Sequence, residues 1–284
     1  MKILEMPKLN AEDVYTEIKT NSKNTENIDK RDRLENLETL VFKRYKEYEM
    51  INVSLELISE STISDKMDKE ALGSCYNRNK SGYLEGEVVS TILSIQSAQH
   101  KNSCPYCGID KPRTIDHYLP KSVFPEFSIF PPNLIPCCGR CNTKKNDRWL
   151  ENGQRLFLNF YYDSIPNVRF LTSKLVYSLD EENQIPTVVF ELIKHSEIQP
   201  KQYDLIERHF NKLELLEEYS EVIEEELSNI HDLVIHNETL SIEDHRENLR
   251  MQARMFARKY GVNYWKACLY DAVINCDEFF KRIC

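Results

Sequence analysis

The chain has 284 residues, 41% of them hydrophobic and 29% charged, and a formal net charge of −9. Such a composition is that of a soluble globular protein with length enough for one large core or two smaller ones. It excludes a membrane-spanning chain, because no stretch approaches the roughly 18 apolar residues that a membrane helix needs. The opening MKILEMPKLN holds no apolar run of signal-peptide length, so the expected location is cytoplasmic. Nine cysteines would suggest disulfides in a secreted protein. Here the number is odd and four of them form two CxxC pairs, which in a reducing compartment points to a metal.

In chain order, residues 1–30 are polar and Asn/Lys/Glu-rich, and an irregular arm is expected there. From Asp32 the pattern turns helical, with Leu34, Leu37, Val41, Tyr45 and Tyr48 at intervals of three and four. The stretch SLELISESTISDKMDKEALGSC suits a further short helix. Gly82 and Gly86 mark a turn, and GEVVSTILSIQSAQH then reads as one helix running into SCPYC. Residues 104–148 lose this periodicity and become rich in proline and cysteine, as a metal-stabilised, loop-rich module would be. The aromatic and β-branched run after it, RLFLNFYYDSIPNVRFLTSKLVYSLDEENQIPTVVFELI, predicts two or three short strands.

Residues 201–234 carry one long helical stripe through Ile206, Phe210, Leu213, Leu216, Tyr219, Ile223, Leu227, Ile230 and Val234. Glu217, Glu218, Glu221, Glu224, Glu225 and Glu226 lie mostly off it. The plain reading is a solvated acidic face on a core helix; the sharper one is a surface that docks a partner. Residues 246–283 predict one or two more helices, whose Tyr260, Tyr264, Trp265, Tyr270, Phe279 and Phe280 suit a core. No Walker A pattern occurs anywhere in the chain.

Charge is unevenly spread. Residues 101–148 hold eight Lys/Arg against four Asp/Glu, a local +4 that leaves −13 for the remainder. A basic island in an acidic chain is an electrostatic footprint for nucleic acid. Its lysines and arginines, among them Lys121, Arg140, Lys144, Lys145 and Arg148, are the expected contacts to phosphate.

Cys104-Pro-Tyr-Cys107 and Cys138-Gly-Arg-Cys141 aim four thiolates at one ion, a closed structural Zn²⁺ site that leaves no position for substrate. A redox role for either CxxC is the rival reading, which two pairs in one module disfavour. Cys137 stands next to the second pair and reads as a small buried apolar residue, as do Cys75, Cys268, Cys276 and Cys284.

Between and beside the cysteine pairs stand Asp116-His117, Asn133 and Asn142. A neutral imidazole can take a proton from water. A carboxylate and an amide oxygen are hard ligands suited to Mg²⁺ or Mn²⁺. A second amide can accept from the histidine ring and orient it. Each residue alone has a plain structural reading, a satisfied polar pair or a turn asparagine, but the set within a cysteine frame and a basic island favours phosphodiester hydrolysis.

CPYC, DHYLPKS and NLIPCCGRCNTKKND together resemble an HNH nuclease of the ββα-metal type with a zinc knuckle. The resemblance covers residues 104–148, with a weaker similarity in FLNFYYD. It implies His117 as general base, Asp116 as metal ligand and Asn133 as the residue that positions the histidine. It implies Asn142 at the third motif position as a second metal ligand, in place of the histidine that many members carry, and Lys145 as a phosphate or transition-state contact. The implied fold is mainly α with a small α+β module: a central ββα-metal HNH module with its zinc knuckle at 101–150. A mostly helical region at 1–100 precedes it. Short strands packing on the module at 151–195 and a helical region at 196–284 follow.

DHYLPKSVFPEFSIFPPNLIPCCGRCNTKK followed by FLNFYYDSIP is also similar to the HNH subunits of Septu-type anti-phage systems, found too with some retrons. That similarity implies a DNA-cutting bacterial defence effector working with a separate SMC/ABC-like ATPase. An RNA-cleaving effector with the same groups, and a non-catalytic nucleic-acid-binding adaptor, are the alternatives.

Overall fold

The computed structural model describes residues 2–24, 28–80, 82–177, 186–237 and 239–283. Cys284 lies outside the described residues. The chain is mainly helical with three small two-stranded antiparallel sheets. It forms two compact units, one of residues 3–164 and one of residues 165–284 with the first two residues. Among the described residues no helix is long and apolar enough to cross a membrane.

The first unit opens with a helix where an irregular arm was expected. α1 (Ala11–Thr20) starts because the Asn10 side chain accepts from the backbone N–H groups of Glu12 and Asp13. It is held because Val14, Tyr15 and Ile18 are buried and the Tyr15 hydroxyl donates to the Leu34 carbonyl at 2.7 Å. Three apolar residues in one short stretch are a weak periodic signal, but they suffice once a neighbouring helix covers them. That neighbour is α2 (Lys30–Met50), which buries Leu34, Val41, Tyr45 and Tyr48 of the expected stripe. α3 (Lys66–Gly73) follows, capped by Asp65.

The expected continuous helix before the first cysteine pair is broken into three. Leu84–Val89 is a π-helical turn, with Gly86 inside it rather than at a turn. α4 (Ser90–Ser94) continues it, and α5 (Ala98–Asn102) restarts on the Ser97 cap.

Next come β1 (Thr114–His117), β2 (Leu134–Cys137) and α6 (Gly139–Lys145). β1 and β2 pair antiparallel, with Thr114 opposite Cys137, Asp116 opposite Ile135 and His117 opposite Leu134. α6 stops at Lys145 because Asn146 takes a positive φ of 47°. A small hairpin of β3 (Leu150–Glu151) and β4 (Gln154–Arg155) closes the segment.

The loop between β1 and β2 is packed, not loose. Phe130 stacks on Tyr45 at 4.3 Å, and both Phe127 and Phe130 meet the edge or face of Tyr48 at 5.2 and 5.1 Å. Glu126, 1% exposed, accepts from the Arg44 guanidinium at 2.8 Å and from the Ser61 hydroxyl at 2.9 Å. The Ser128 hydroxyl donates to the Leu72 carbonyl at 2.7 Å. Helices α2 and α3 therefore fix the conformation of a loop that has almost no regular structure of its own. The FLNFYYD segment serves the same core: Tyr161 donates to the Leu134 carbonyl at 3.0 Å, and Arg155 pairs with Asp163 at 2.9 Å.

In the second unit β5 (Leu171–Val176) pairs antiparallel with β6 (Thr187–Leu192). The expected single stripe over 201–234 is three helices: α7 (Pro200–Leu213), α8 (Leu215–Val222) and α9 (Glu224–Ile235). The break at Glu214 comes from its left-handed φ of 55°, which turns the chain while the buried stripe continues on the next helix. α10 (Ile242–Tyr260), α11 (Trp265–Ile274) and α12 (Asp277–Ile283) complete the unit. The sheet packs on α8 and α11, and α10 packs on α11. Trp265, Tyr270, Phe279 and Phe280 are buried in this core.

Candidate active site

Four sulfurs mark one end of the ββα module. The Sγ atoms of Cys104, Cys107, Cys138 and Cys141 all lie within 4.8 Å of one another, and all four residues are buried. A tetrahedral zinc site with bonds of about 2.3 Å has sulfur–sulfur edges of about 3.8 Å, and the Cys107–Cys138 separation is 3.8 Å. Backbone N–H groups point at the sulfurs from Ile109, Cys138 and Cys141 at 3.3 to 3.4 Å, as thiolates in a closed knuckle require. The first turn closes through Gly108, whose φ of 72° suits a residue without a side chain. The cluster fits zinc and has no open position. Cys138 belongs to it because it caps α6, accepting from the Cys141 N–H. Cys137 ends β2 instead, with its thiol 3.4 Å from the Thr114 hydroxyl and burial pushing its pKa far up.

Asp116 and His117 are neighbours on β1, so their side chains leave on opposite faces. The structure sends Asp116 inward. It is 3% exposed, and its two oxygens accept from the Tyr106 hydroxyl at 2.7 Å and the Lys145 ammonium at 3.1 Å. Lys145 donates also to the His117 carbonyl at 2.9 Å. With 0% exposure it is a buried ion-pair partner, and the expectation of a phosphate contact at Lys145 is corrected. The last turn of α6 aims it under β1, where the rings of Tyr118 and Phe157 flank it. Asn142, half-buried one turn earlier, approaches β1 through its amide nitrogen at 3.5 Å from the Ile115 carbonyl. The carboxylate of Asp116 and the amide oxygen of Asn142 fit a hard cation such as Mg²⁺ or Mn²⁺ in kind. Each carboxylate oxygen keeps a lone pair beyond the one it uses. Lys145 has a second acceptor in the His117 carbonyl, which it would keep if a cation took its place at Asp116.

His117 faces the other way. Its Nε2 lies 2.8 Å from the Ser128 carbonyl oxygen. A carbonyl can only accept, so Nε2 carries the proton and Nδ1 is the basic nitrogen. The edge of Tyr76 meets the imidazole at 4.3 Å between ring centres. Burial is the main force on its pKa, pushing it down to about 4; the Ser128 carbonyl and Asp116 oppose this, and Lys121 and Lys145 add to it. At neutral pH the ring is uncharged, the state a general base needs.

Asn133 is fully buried and does not touch His117. Its amide accepts from the Leu119 N–H at 2.8 Å and donates to the Leu119 and Phe127 carbonyls at 3.0 and 3.2 Å. It ties the two ends of the β1–β2 loop together, and that loop delivers the Ser128 carbonyl to the imidazole. Its influence on the histidine is therefore one step removed. The group that orients the ring directly is a backbone carbonyl, which no side-chain pattern could reveal.

The remaining basic residues differ in availability. Lys121 is exposed and lies over the Tyr76 ring at 5.0 Å. Arg140 pairs with Asp110 at 3.1 Å, and Arg148 folds its guanidinium onto the Lys144 carbonyl. Tyr76 and Tyr106 are site residues that the sequence reading did not single out. Tyr106 stood inside the CPYC pair; Tyr76 lies in a polar stretch with no motif around it.

The comparisons with known proteins meet this geometry at the same place. Residues 104–148 match the family model described as HNH endonuclease. These residues form an HNH endonuclease domain. The HNH domain holds both the four-cysteine cluster and every motif residue described above. Beyond it, the chain is 24% identical over 250 residues to Protein ea31 of Escherichia phage lambda, covering 82% of this chain and 76% of that protein. No solved structure matches the chain.

Proposed function

We propose that the chain is a metal-dependent endonuclease that hydrolyses phosphodiester bonds of DNA. The observation that carries this is the state of His117: neutral, with Nε2–H fixed on the Ser128 carbonyl and Nδ1 left basic. Nδ1 takes the proton of the attacking water. The Ser128 carbonyl holds the Nε2 proton throughout and steadies the imidazolium as it forms. Asp116 and Asn142 would hold Mg²⁺ or Mn²⁺, which when bound supplies charge stabilisation to the phosphorane and the leaving oxygen. Lys121, exposed beside the imidazole, steers the phosphate. The zinc holds the frame and takes no part in the chemistry.

The test is cleavage of plasmid DNA by the full chain with Mg²⁺ or Mn²⁺, beside a folded His117→Ala variant. Loss of the general base is expected to slow cleavage by about 10² to 10⁴-fold. Equal cleavage by His117→Ala would falsify the assignment. Water as nucleophile needs no 2′-hydroxyl, so total RNA belongs in a parallel digestion. Normal DNA affinity with no nicking under any divalent metal would instead favour the adaptor reading.

We further place the chain as the nuclease subunit of an anti-phage system that works with a separate SMC/ABC-like ATPase. The support is the likeness of DHYLPKS…CCGRCNTKK and FLNFYYDSIP to Septu-type HNH subunits, together with the lack of a Walker A pattern here. The exposed Glu217, Glu221, Glu224 and Glu225 of α8 and α9 are the candidate docking face. Co-purification with the product of an adjacent ATPase gene tests this, and an isolated gene would count against it.

A further inference from the structure

The HNH motif residues do not complete the catalytic face by themselves. Among the described residues the imidazole of His117 has one ring neighbour, and it comes from outside residues 104–148. Tyr76, in the turn after α3, meets His117 edge-on at 4.3 Å with an interplanar angle of 72°. The other interaction of this ring is with Lys121, whose ammonium lies 5.0 Å from its centre. One aromatic ring thus touches both the basic imidazole and the nearest exposed cation.

Tyr76 is itself largely enclosed. Burial pushes its phenol pKa up to about 12, and the positive charge of nearby Arg78 opposes that push. Arg78 in turn is gripped by both oxygens of Glu85, at 2.6 and 2.8 Å. The bidentate carboxylate fixes the guanidinium plane near the phenol. Tyr76 is the point at which the segment after α3 reaches the histidine.

We propose that Tyr76 is a positioning residue of the nuclease site. It limits rotation of the imidazole about the Ser128 hydrogen bond, so that Nδ1 points at the attacking water. It also holds the Lys121 ammonium over the same face, ready for a phosphate oxygen. The proposal rests on the nuclease reading for its kinetic consequence, but the contact itself does not depend on activity. Tyr76 does not meet substrate; it acts through His117 and Lys121.

Three variants of the full chain separate the roles. Tyr76→Leu removes the ring, Tyr76→Phe keeps it, and Lys121→Ala removes the cation. Losing the imidazole's orientation is expected to lower kcat of Tyr76→Leu by about 10- to 100-fold. Losing the cation–π contact should raise KM of both Tyr76→Leu and Lys121→Ala by about 2- to 5-fold. Tyr76→Phe should recover both constants. A Tyr76→Leu variant with unchanged kcat, or a Tyr76→Phe variant as poor as Tyr76→Leu, overturns the proposal.

The second readout needs no turnover. In ¹H–¹⁵N spectra of the His117 ring, Tyr76→Leu should shift the carbon-bound protons and broaden them, and Tyr76→Phe should leave them near their wild-type positions. If wild-type chain and His117→Ala are both inactive, the nuclease reading fails while the ring spectra still decide the contact. Unchanged His117 ring resonances in Tyr76→Leu, with zinc content and unfolding temperature at wild-type values, would reject the positioning role.

Discussion

Replacing Lys145 by methionine separates two accounts of this residue more sharply than any other change. Sequence reasoning puts Lys145 on the basic island as a phosphate contact; the structure buries it completely against Asp116, which is 3% exposed. Methionine keeps most of the length and apolar contact of the side chain and removes the charge. What remains is a buried carboxylate facing no cation, and a His117 carbonyl without its donor. Breaking a buried pair from one side costs about 3–5 kcal/mol. For a unit of this size each kcal/mol lowers Tm by about 2–4 °C, so a fall of about 6–20 °C is expected. The assay is thermal unfolding followed by circular dichroism, with zinc saturating in both proteins. Adding Asp116→Asn to Lys145→Met should recover more than half of the loss, because the orphaned charge is gone and Tyr106 keeps an acceptor. A Tm shift below about 3 °C together with a shallower salt dependence of DNA binding is the signature of an exposed phosphate contact. That pair of results would refute the burial argument.

Zinc and loop make two further predictions. Cys138→Ser should lose bound zinc and the native fold of the module, whereas Cys137→Ala should keep one zinc per chain, as measured by chelator-release colorimetry. Asn133→Ala leaves the buried Leu119 N–H and carbonyl without the side chain that pairs them, while the Phe127 carbonyl keeps the Phe130 N–H. Its cost is on the order of 3 kcal/mol, since each buried unpaired group costs about 1–3 kcal/mol and relaxation recovers part. Hydrogen exchange at the Leu119 amide reads it directly: protection should fall there first, and unchanged protection would show that Asn133 does not hold the loop.

What the sequence made legible was the chemistry that side chains announce by identity and spacing. Two CxxC pairs located the four-cysteine cluster, and the order Asp116, His117, Asn133, Asn142 located the hairpin and the helix that follows it. The direction of a side chain was less legible. Lys145 lies three residues beyond Asn142 and is also basic, yet the helix turns it inward while Lys121, on a loop, stays exposed. Backbone groups were not legible at all: the Ser128 carbonyl orients His117, and any residue type at 128 would present a carbonyl. Irregular backbone hid the helix breaks in the same way. Glu214 adopts a left-handed φ without being glycine and a second break follows at Ile223, so one stripe of apolar residues serves three helices. α1 escaped notice because its cap and its three buried residues mean little until α2 is placed against them.

The position of α6 shows how the four-cysteine cluster sets the place of residues outside it. Cys138 is the N-cap of this seven-residue helix, and Cys141 lies within its first turn. Both sulfurs are fixed by the four-cysteine cluster, so the start and the rotation of the helix are set there. Asn142 follows Cys141 directly, and Lys145 lies one turn further on, four residues from Cys141 and on its buried side. An isolated helix of seven residues has no stability of its own in water. Without the cluster, nothing local would keep Asn142 beside β1 or Lys145 beneath Asp116. Both groups at the carboxylate are thus held from one end by the four-cysteine cluster. From the other end, Arg44 with Glu126 and Asn133 with Leu119 hold the loop that orients His117. The HNH domain is small, and the geometry around Asp116 and His117 is imposed from both sides, by the four-cysteine cluster and by the residues that brace the loop.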